Sequence, residues 1–261
     1  MTLEQLKKRK SQLGYSNEKI AQLSGVPVST VRKIFAGITK QPRYETILAL
    51  DVALSPSYTL NETALAYMTK AQGQYTIDDY NALPEEARVE LIDGVLYDMS
   101  SPAIDHQTIA SSIFLQLKLH TRKNKGPCIV TIAPCDVHLS KEDNKTIVQP
   151  DLFILCDRNK IVNGRIEGAP DFVLEVLSPS TRRKDMAIKF NKYIESGVRE
   201  YWIIDQENKK VIVYLFEDDI NTFMYTFDDK IPVAVWNNEC HVDMREVQNE
   251  LDFINEPINK I

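Results

Sequence analysis

The run Phe172-Val-Leu-Glu-Val-Leu177 constrains this chain more than any other six residues. Apolar residues on either side of a single acid read as a strand with that acid inside it. An acid in the middle of such a strand is costly unless it is paired or holds a metal. Glu175 is therefore the most anomalous residue in the sequence.

Other strand-like runs surround it, at 128–132, 137–139, 151–155, 200–204 and 210–216, with weaker ones at 224–227 and 233–235. Helical periodicity marks 106–122, through Ile109, Ile113, Leu117 and Leu119, and 183–196, which ends at Gly197. Short helices are expected at 75–83 and 85–91, and Asp93-Gly94 reads as a turn between apolar runs. Strands with helices at both ends predict a mixed sheet flanked by helices.

The first 54 residues have a different texture. Helices are expected around Leu3, Leu6 and Leu13, from Asn17 to Gly25, from Pro27 to Gly37, and over 44–54. Through residue 55 there are nine Lys and Arg against four acids, a net charge of +5 that leaves −11 on the rest of the −6 chain. A basic helical module on an acidic body points to nucleic acid as the partner of the first. Helix, glycine turn, helix over 16–37, with Ala21 at the close crossing and Val26 and Val31 filling the shared core, resembles the Cro/repressor-type helix-turn-helix family. The resemblance implies that the second helix of the motif enters the major groove. It would present Val28, Ser29 and Thr30, then Arg32 and Lys33, to bases and phosphates. It also implies a homodimer. A helical bundle used for dimerisation or partner binding is the plainer reading of the same segment.

The expected fold class is thus α+β, divided into a helix-turn-helix domain (1–54), a linker (55–74), a sheet domain (75–217) and a C-terminal β extension (218–261). No apolar run is long enough to span a bilayer, and the N-terminus has no signal-peptide core, so no membrane is expected and the reading is cytoplasmic. Cys128, Cys135, Cys156 and Cys240 form no C-x-x-C pair, which leaves zinc without support and favours reduced, mostly buried thiols.

A partner for Glu175 must lie close. Oxygen ligands sit about 2.0–2.1 Å from Mg²⁺, so two ligating carboxylates nearly touch. Neighbouring strands about 4.8 Å apart bring that about when each presents an acid to one face. Asp171 shares a strand face with Glu175 but stands four residues away, about 13 Å at 3.3 Å per residue. Asp151, opening its own strand, is the better partner, and Asp171 marks a strand start or turn.

Pro150-Asp151 followed by Glu175 resembles the PD-(D/E)XK nuclease superfamily. The ordered set Glu90-Leu-Ile-Asp-Gly94, His106-Gln107, Gln149-Pro-Asp-Leu152, Pro170-Asp-Phe-Val-Leu-Glu-Val-Leu-Ser-Pro-Ser-Thr181, Asp185…Lys189…Tyr193 and Gly197-Val-Arg-Glu-Tyr-Trp-Ile-Ile-Asp205 is similar to a bacterial family of restriction-endonuclease-like proteins. The resemblance implies a metal-dependent endonuclease acting on DNA, with Mg²⁺ or Mn²⁺ held by Asp151, Glu175 and the Val176 carbonyl. Glu90, on the expected helix at 85–91, matches an auxiliary acidic position and would bind metal directly or through water. The superfamily places a lysine two residues after the glutamate, where this chain has Leu177. A lysine from the following helix is the natural substitute. Asp185, Lys189 and Tyr193 share one helical face, which favours Lys189 as the catalytic lysine, with Lys192 the alternative about 60° round. The departure keeps a second function class open: a DNA-binding regulator whose nuclease fold is inactive and serves for dimerisation. RNA as substrate is a third. His106 reads as a helix N-terminal or buried hydrogen-bonded histidine. Ser178-Pro-Ser-Thr181 reads as a loop and helix cap, since no histidine lies near it in sequence.

Overall fold

The computed structural model describes residues 3–13, 15–39, 42–54, 70–84, 87–99, 101–178, 181–182, 184–217 and 219–256. The chain falls into two compact units, Met1–Thr59 with Ser180–Lys189, and Leu60–Pro179 with Phe190–Ile261. Most of the expected linker, 55–69, lies outside the described residues, as do Pro179 and Ser180 of the expected cap.

The first unit holds α1 (Leu3–Leu13), α2 (Asn17–Ser24), α3 (Val28–Phe35) and α4 (Tyr44–Leu54). The Ser16 hydroxyl accepts from the Lys19 amide at 3.1 Å and starts α2. Gly25 ends that helix with φ +68°, the left-handed conformation that glycine adopts without strain. Leu6, Ile20, Val26, Val31, Ile34, Leu50 and Leu54 make the core, with Ala21 packed against it. Asp51 is buried there, 3.6 Å from Arg9. Burial raises its pKa, and Arg182 and Arg9 work against the rise. Lys184–Lys189 forms a π-helical turn packed against α4.

The second unit opens with α5 (Ile77–Asn81), closed at its start by a capping box between Thr76 and Asp79. The hairpin β1 (Val89–Ile92) and β2 (Val95–Asp98) follows. Here the structure corrects the expected helix at 85–91: Glu90 stands on a strand. The cause is the two-residue turn, with Asp93 at φ 53° and Gly94 at φ 74°, which forces the flanking residues to pair. A Cβ at Gly94 would meet the Gly73 carbonyl oxygen at 2.6 Å, so no other residue fits.

The long helix α6 (Ile104–Asn124) leads into β3 (Ile129–Ile132) and β4 (Val137–His138), then β5 (Leu152–Leu155), β6 (Ile161–Val162), β7 (Arg165–Glu167) and β8 (Phe172–Val176). The helix α7 (Phe190–Ser196) precedes β9 (Glu200–Asp205), β10 (Lys210–Phe216) and β11 (Ile220–Thr226). β12 (Lys230–Pro232), β13 (His241–Asp243) and α8 (Met244–Asn255) complete the unit. The weak strand expected at 233–235 is a 3-10 turn, Ala234–Trp236, and the tail expected to be β also carries α8.

The main sheet has six strands in the order β11-β10-β9-β8-β5-β3. Only β8 and β9 run parallel, because the connection between them passes through α7 rather than a hairpin. Phe172, Leu174 and Val176 point to one face, where Ile109, Ala110, Ile113 and Leu117 of α6 join them in the core with Leu152, Ile154, Trp202 and Ile204. The opposite parity of β8 carries Val173 and Glu175. On that side Tyr193 of α7 meets Tyr201 edge-on at 4.9 Å between ring centroids, and Phe190 meets it tilted at 6.4 Å.

One expectation about the cysteines fails. Cys128 and Cys156 are joined as a disulfide, while Cys135 and Cys240 are thiols. The β3–β5 register, which pairs Ile129 with Leu155, sets the two cysteines opposite each other one step further on. Spacing along the chain gives no sign of that. Among the described residues no helix is long and apolar enough to cross a membrane.

Candidate active site

β5 and β8 pair antiparallel with Leu152 opposite Leu174 and Phe153 opposite Val173. One step further on that register, Asp151 stands opposite Glu175. The Val176 amide donates to Asp151 Oδ2 at 2.8 Å, which ties the aspartate to the strand carrying the glutamate. Like charges directly opposite across a ladder destabilise a sheet. The flanking groups offset part of that cost. Nε2 of His106, in the first turn of α6, lies 3.1 Å from Asp151 Oδ2, and the Tyr193 hydroxyl donates to Glu175 Oε1 at 2.7 Å. Glu175 is only 3% exposed, whereas the Asp151 side chain is 21% exposed, so the pair is reached from the aspartate side.

The segment ahead of Asp151 is fixed at several points. The Gln149 amide donates to Glu90 Oε1 at 2.8 Å, and Glu90 is fully buried. The Gln149 side chain donates to Asp136 Oδ1 at 2.9 Å and to the Tyr80 hydroxyl at 3.2 Å. Tyr80 itself donates to Asp136 Oδ1 at 2.9 Å. Burial, then the neighbouring Asp136, pushes the Tyr80 pKa up, so the phenol stays a donor. Pro150 confines Gln149 to extended backbone. A cleft of about 440 Å³, lined by Asn81, Asp136, Gln149, Asn163 and Arg165, leaves this segment bordering open space.

Lys189 is buried and lies 3.6 Å from Asp185, one turn before it, within the unit that contains both. Lys192 pairs with Asp93 of the β1–β2 turn and, at 3.7 Å, with Glu195. Leu177 is buried. Asp171 caps strands: its Oδ2 accepts from the Cys156 amide at 2.8 Å, and Arg199 lies 3.3 Å from Oδ1.

On α3, Ser29, Arg32 and Lys33 are exposed, and Val28 and Thr30 are half-buried. Arg32 pairs with Glu18 at 2.6 Å, both side chains being 60% exposed. An exposed pair of this kind contributes about 0–1 kcal/mol, so separating the two side chains costs little.

Among the described residues no three side chains of His, Cys, Asp or Glu gather into a metal cage. The donor set nevertheless fits a hard cation. Mg²⁺ is bound through one or two carboxylates and keeps several waters, and Asp151 with Glu175 offers two anionic oxygen donors. The sequence signals for His106 and Tyr193 were their places on helical faces. What each would touch depends on a fold-level crossing that spacing does not encode.

Four similarities bear on this geometry. Residues 77–227 match the Uma2 family model, described as "Putative restriction endonuclease", and residues 6–55 match a helix-turn-helix model. Uncharacterized protein slr1290 of Synechocystis is 26% identical over 131 residues, which covers 50% of this chain and 67% of that protein. A crystal structure from Anabaena variabilis, described as a putative nuclease belonging to DUF820, superposes with a TM-score of 0.55 at 22% identity, covering 67% of this chain and 98% of that one. That likeness establishes the fold, α+β with a nuclease-like mixed sheet. With more than half its length matched by the family model, the chain belongs to the Uma2 family and carries a helix-turn-helix segment at its N-terminus.

Proposed function

We propose that this protein is a metal-dependent endonuclease that hydrolyses DNA phosphodiester bonds and is brought to DNA by its helix-turn-helix. The observation that carries the reading is Asp151 opposite Glu175 across the β5–β8 ladder. A sheet keeps two facing carboxylates at a cost, and a divalent cation between them removes it.

Asp151, Glu175 and the Val176 carbonyl would hold Mg²⁺ or Mn²⁺, with Glu90 bound directly or through water. When bound, the metal polarises the scissile phosphate and lowers the pKa of water to give the nucleophile. The chain does the rest. The Val176 amide and His106 orient the Asp151 carboxylate, and Tyr193 orients Glu175. Glu90 holds the Gln149 amide and so fixes the strand entry that presents Asp151. Lys189 stands for the lysine missing at Leu177 and stabilises charge on the phosphorane, with Asp185 beside it at 3.6 Å. Val28, Ser29, Thr30, Arg32 and Lys33 supply DNA contacts, since a body of net charge −11 binds a polyanion poorly by itself. The protein works in the cytoplasm as a homodimer.

Leu177 in place of lysine favours a second reading, a DNA-binding regulator with a silent nuclease fold. Plasmid incubated with the protein and Mg²⁺ or Mn²⁺ separates the two. Cleavage that is lost with chelator, with Glu175→Gln and with Lys189→Ala supports the nuclease. Intact DNA under either metal, with sequence-specific binding retained, leaves the regulator. Cleavage that survives both substitutions removes the site assignment.

A further inference from the structure

The two rims of the six-stranded sheet are built differently. β3, at one rim, is four residues long and runs into Pro134, which has no amide to offer a neighbour. β11, at the other, is seven residues long, Ile220-Asn-Thr-Phe-Met-Tyr-Thr226, and pairs with β10 along its whole length. Proteins blunt exposed edges with short strands, prolines, bulges or charges. β11 has none of these: its ladder is continuous and no residue in it is charged.

Its apolar side chains are exposed on both faces. Phe223 lies beside Val213 on the core side and is 44% exposed. Ile220 and Met224 lie beside Phe216 and Ile212 on the other face and are 51% and 37% exposed. A helix laid on the sheet would cover one parity only. A strand added at the edge covers both and also takes up the outward amides and carbonyls of β11. The missing neighbour is therefore a strand, and among the described residues no strand lies beyond β11.

We propose that this neighbour is β11 of a second copy of the chain, antiparallel about a two-fold axis, making one continuous sheet through both molecules. A neutral strand is compatible with itself: the two-fold sets apolar residues near apolar residues with no like charges inside the ladder. Glu217 and Asp219 lie exposed before it, and Asp228, Lys209 and Lys210 stand beside its other end. Antiparallel pairing brings the acidic end of one copy to the lysine-bearing end of the other. This deepens the homodimer reading by giving it a surface, and it does not depend on cleavage.

Sedimentation velocity of the full chain tests it. We expect a dimer at micromolar concentration, and a monomer for Phe223→Lys/Met224→Lys with an unchanged circular dichroism spectrum. Amide exchange of the wild type gives a second readout that needs no variant. Alternate amides of Ile220–Thr226 should exchange slowly in the dimer and fast on dilution to monomer. A wild-type monomer at all concentrations, or a dimer that leaves these amides unprotected, overturns the proposal. Because oligomeric state is read without DNA or metal, failure here is distinct from failure of the nuclease reading.

Discussion

Two buried glutamates sit on neighbouring strands and differ in what they face. Glu175 on β8 and Glu200 on β9 are each surrounded by apolar strand residues and nearly inaccessible to water. Glu200 accepts from the Trp202 indole N–H at 2.7 Å and from the Val235 amide at 2.9 Å, so it anchors the C-terminal segment to the sheet. Glu175 accepts from Tyr193 and stands opposite a second carboxylate. An acid in an apolar strand thus has two explanations. Donors converging on it make a structural joint, and another acid facing it is the observation on which the proposed cation site rests.

The largest effect expected from this contrast is on cleavage. Glu175→Gln removes one of two anionic oxygen donors, and Lewis-acid stabilisation is worth several kcal/mol, so plasmid hydrolysis should fall by about 100-fold or more. Glu200→Gln should leave the rate within a few-fold of wild type. Equal losses from the two variants would erase the distinction between them.

Stability should divide them the other way. Glu200→Ala strands two buried donors, each costing about 1–3 kcal/mol, for a total of about 3 kcal/mol in urea denaturation. Glu175→Ala removes the acceptor of the Tyr193 hydroxyl but also relieves the repulsion from Asp151, so its cost should be smaller than that of Glu200→Ala. A Glu175→Ala loss as large as that of Glu200→Ala would make both residues structural joints.

Metal sharpens the contrast further. A ligand present at a hundred times its dissociation constant stabilises the folded state by about 2.7 kcal/mol. Mn²⁺ should raise the denaturation midpoint of the wild type and of Glu200→Gln, and leave Asp151→Asn unmoved. Stabilisation of Asp151→Asn to the wild-type extent would place the ion elsewhere.

The sequence makes Glu175 stand out but passes over Glu200, because Glu200 opens its strand beside Arg199 and reads as a polar boundary. Its burial comes from the tail, whose Val235 amide folds over it from 35 residues away. The choice of Asp151 over Asp171 was legible, since strand rise alone rules out Asp171. Glu90 was misplaced on a helix because short apolar runs fit both periodicities, and only the Asp93-Gly94 turn decides between them. The disulfide and the contacts of His106 and Tyr193 depend on strand register and helix crossing, which local pattern does not carry.

The smallest expected effect sets Glu200 against a half-buried carboxylate, Glu167. Burial raises the Glu200 pKa above its ordinary 4.5, and the Val235 and Trp202 bonds only partly offset this. At Glu167 burial pulls the same way, but His138 at 2.6 Å and Arg165 at 2.5 Å outweigh it and hold the carboxyl below 4.5. The signs are opposite. Glu167 contributes stability that is fully present above pH 4.5 and lost as pH falls through its lower folded value. Glu200 in the folded state holds its proton more tightly than in the unfolded chain, so a cost appears as pH rises past 4.5 and is complete above its folded value. Denaturation midpoints of Glu167→Gln and Glu200→Gln, each measured against wild type from acid to neutral pH, should therefore diverge. Rising pH should favour wild type over Glu167→Gln and should favour Glu200→Gln over wild type. Parallel trends would mean that the two donors to Glu200 stabilise its charge as fully as a cation would, and the difference between a joint and a cation site would then lie in geometry alone.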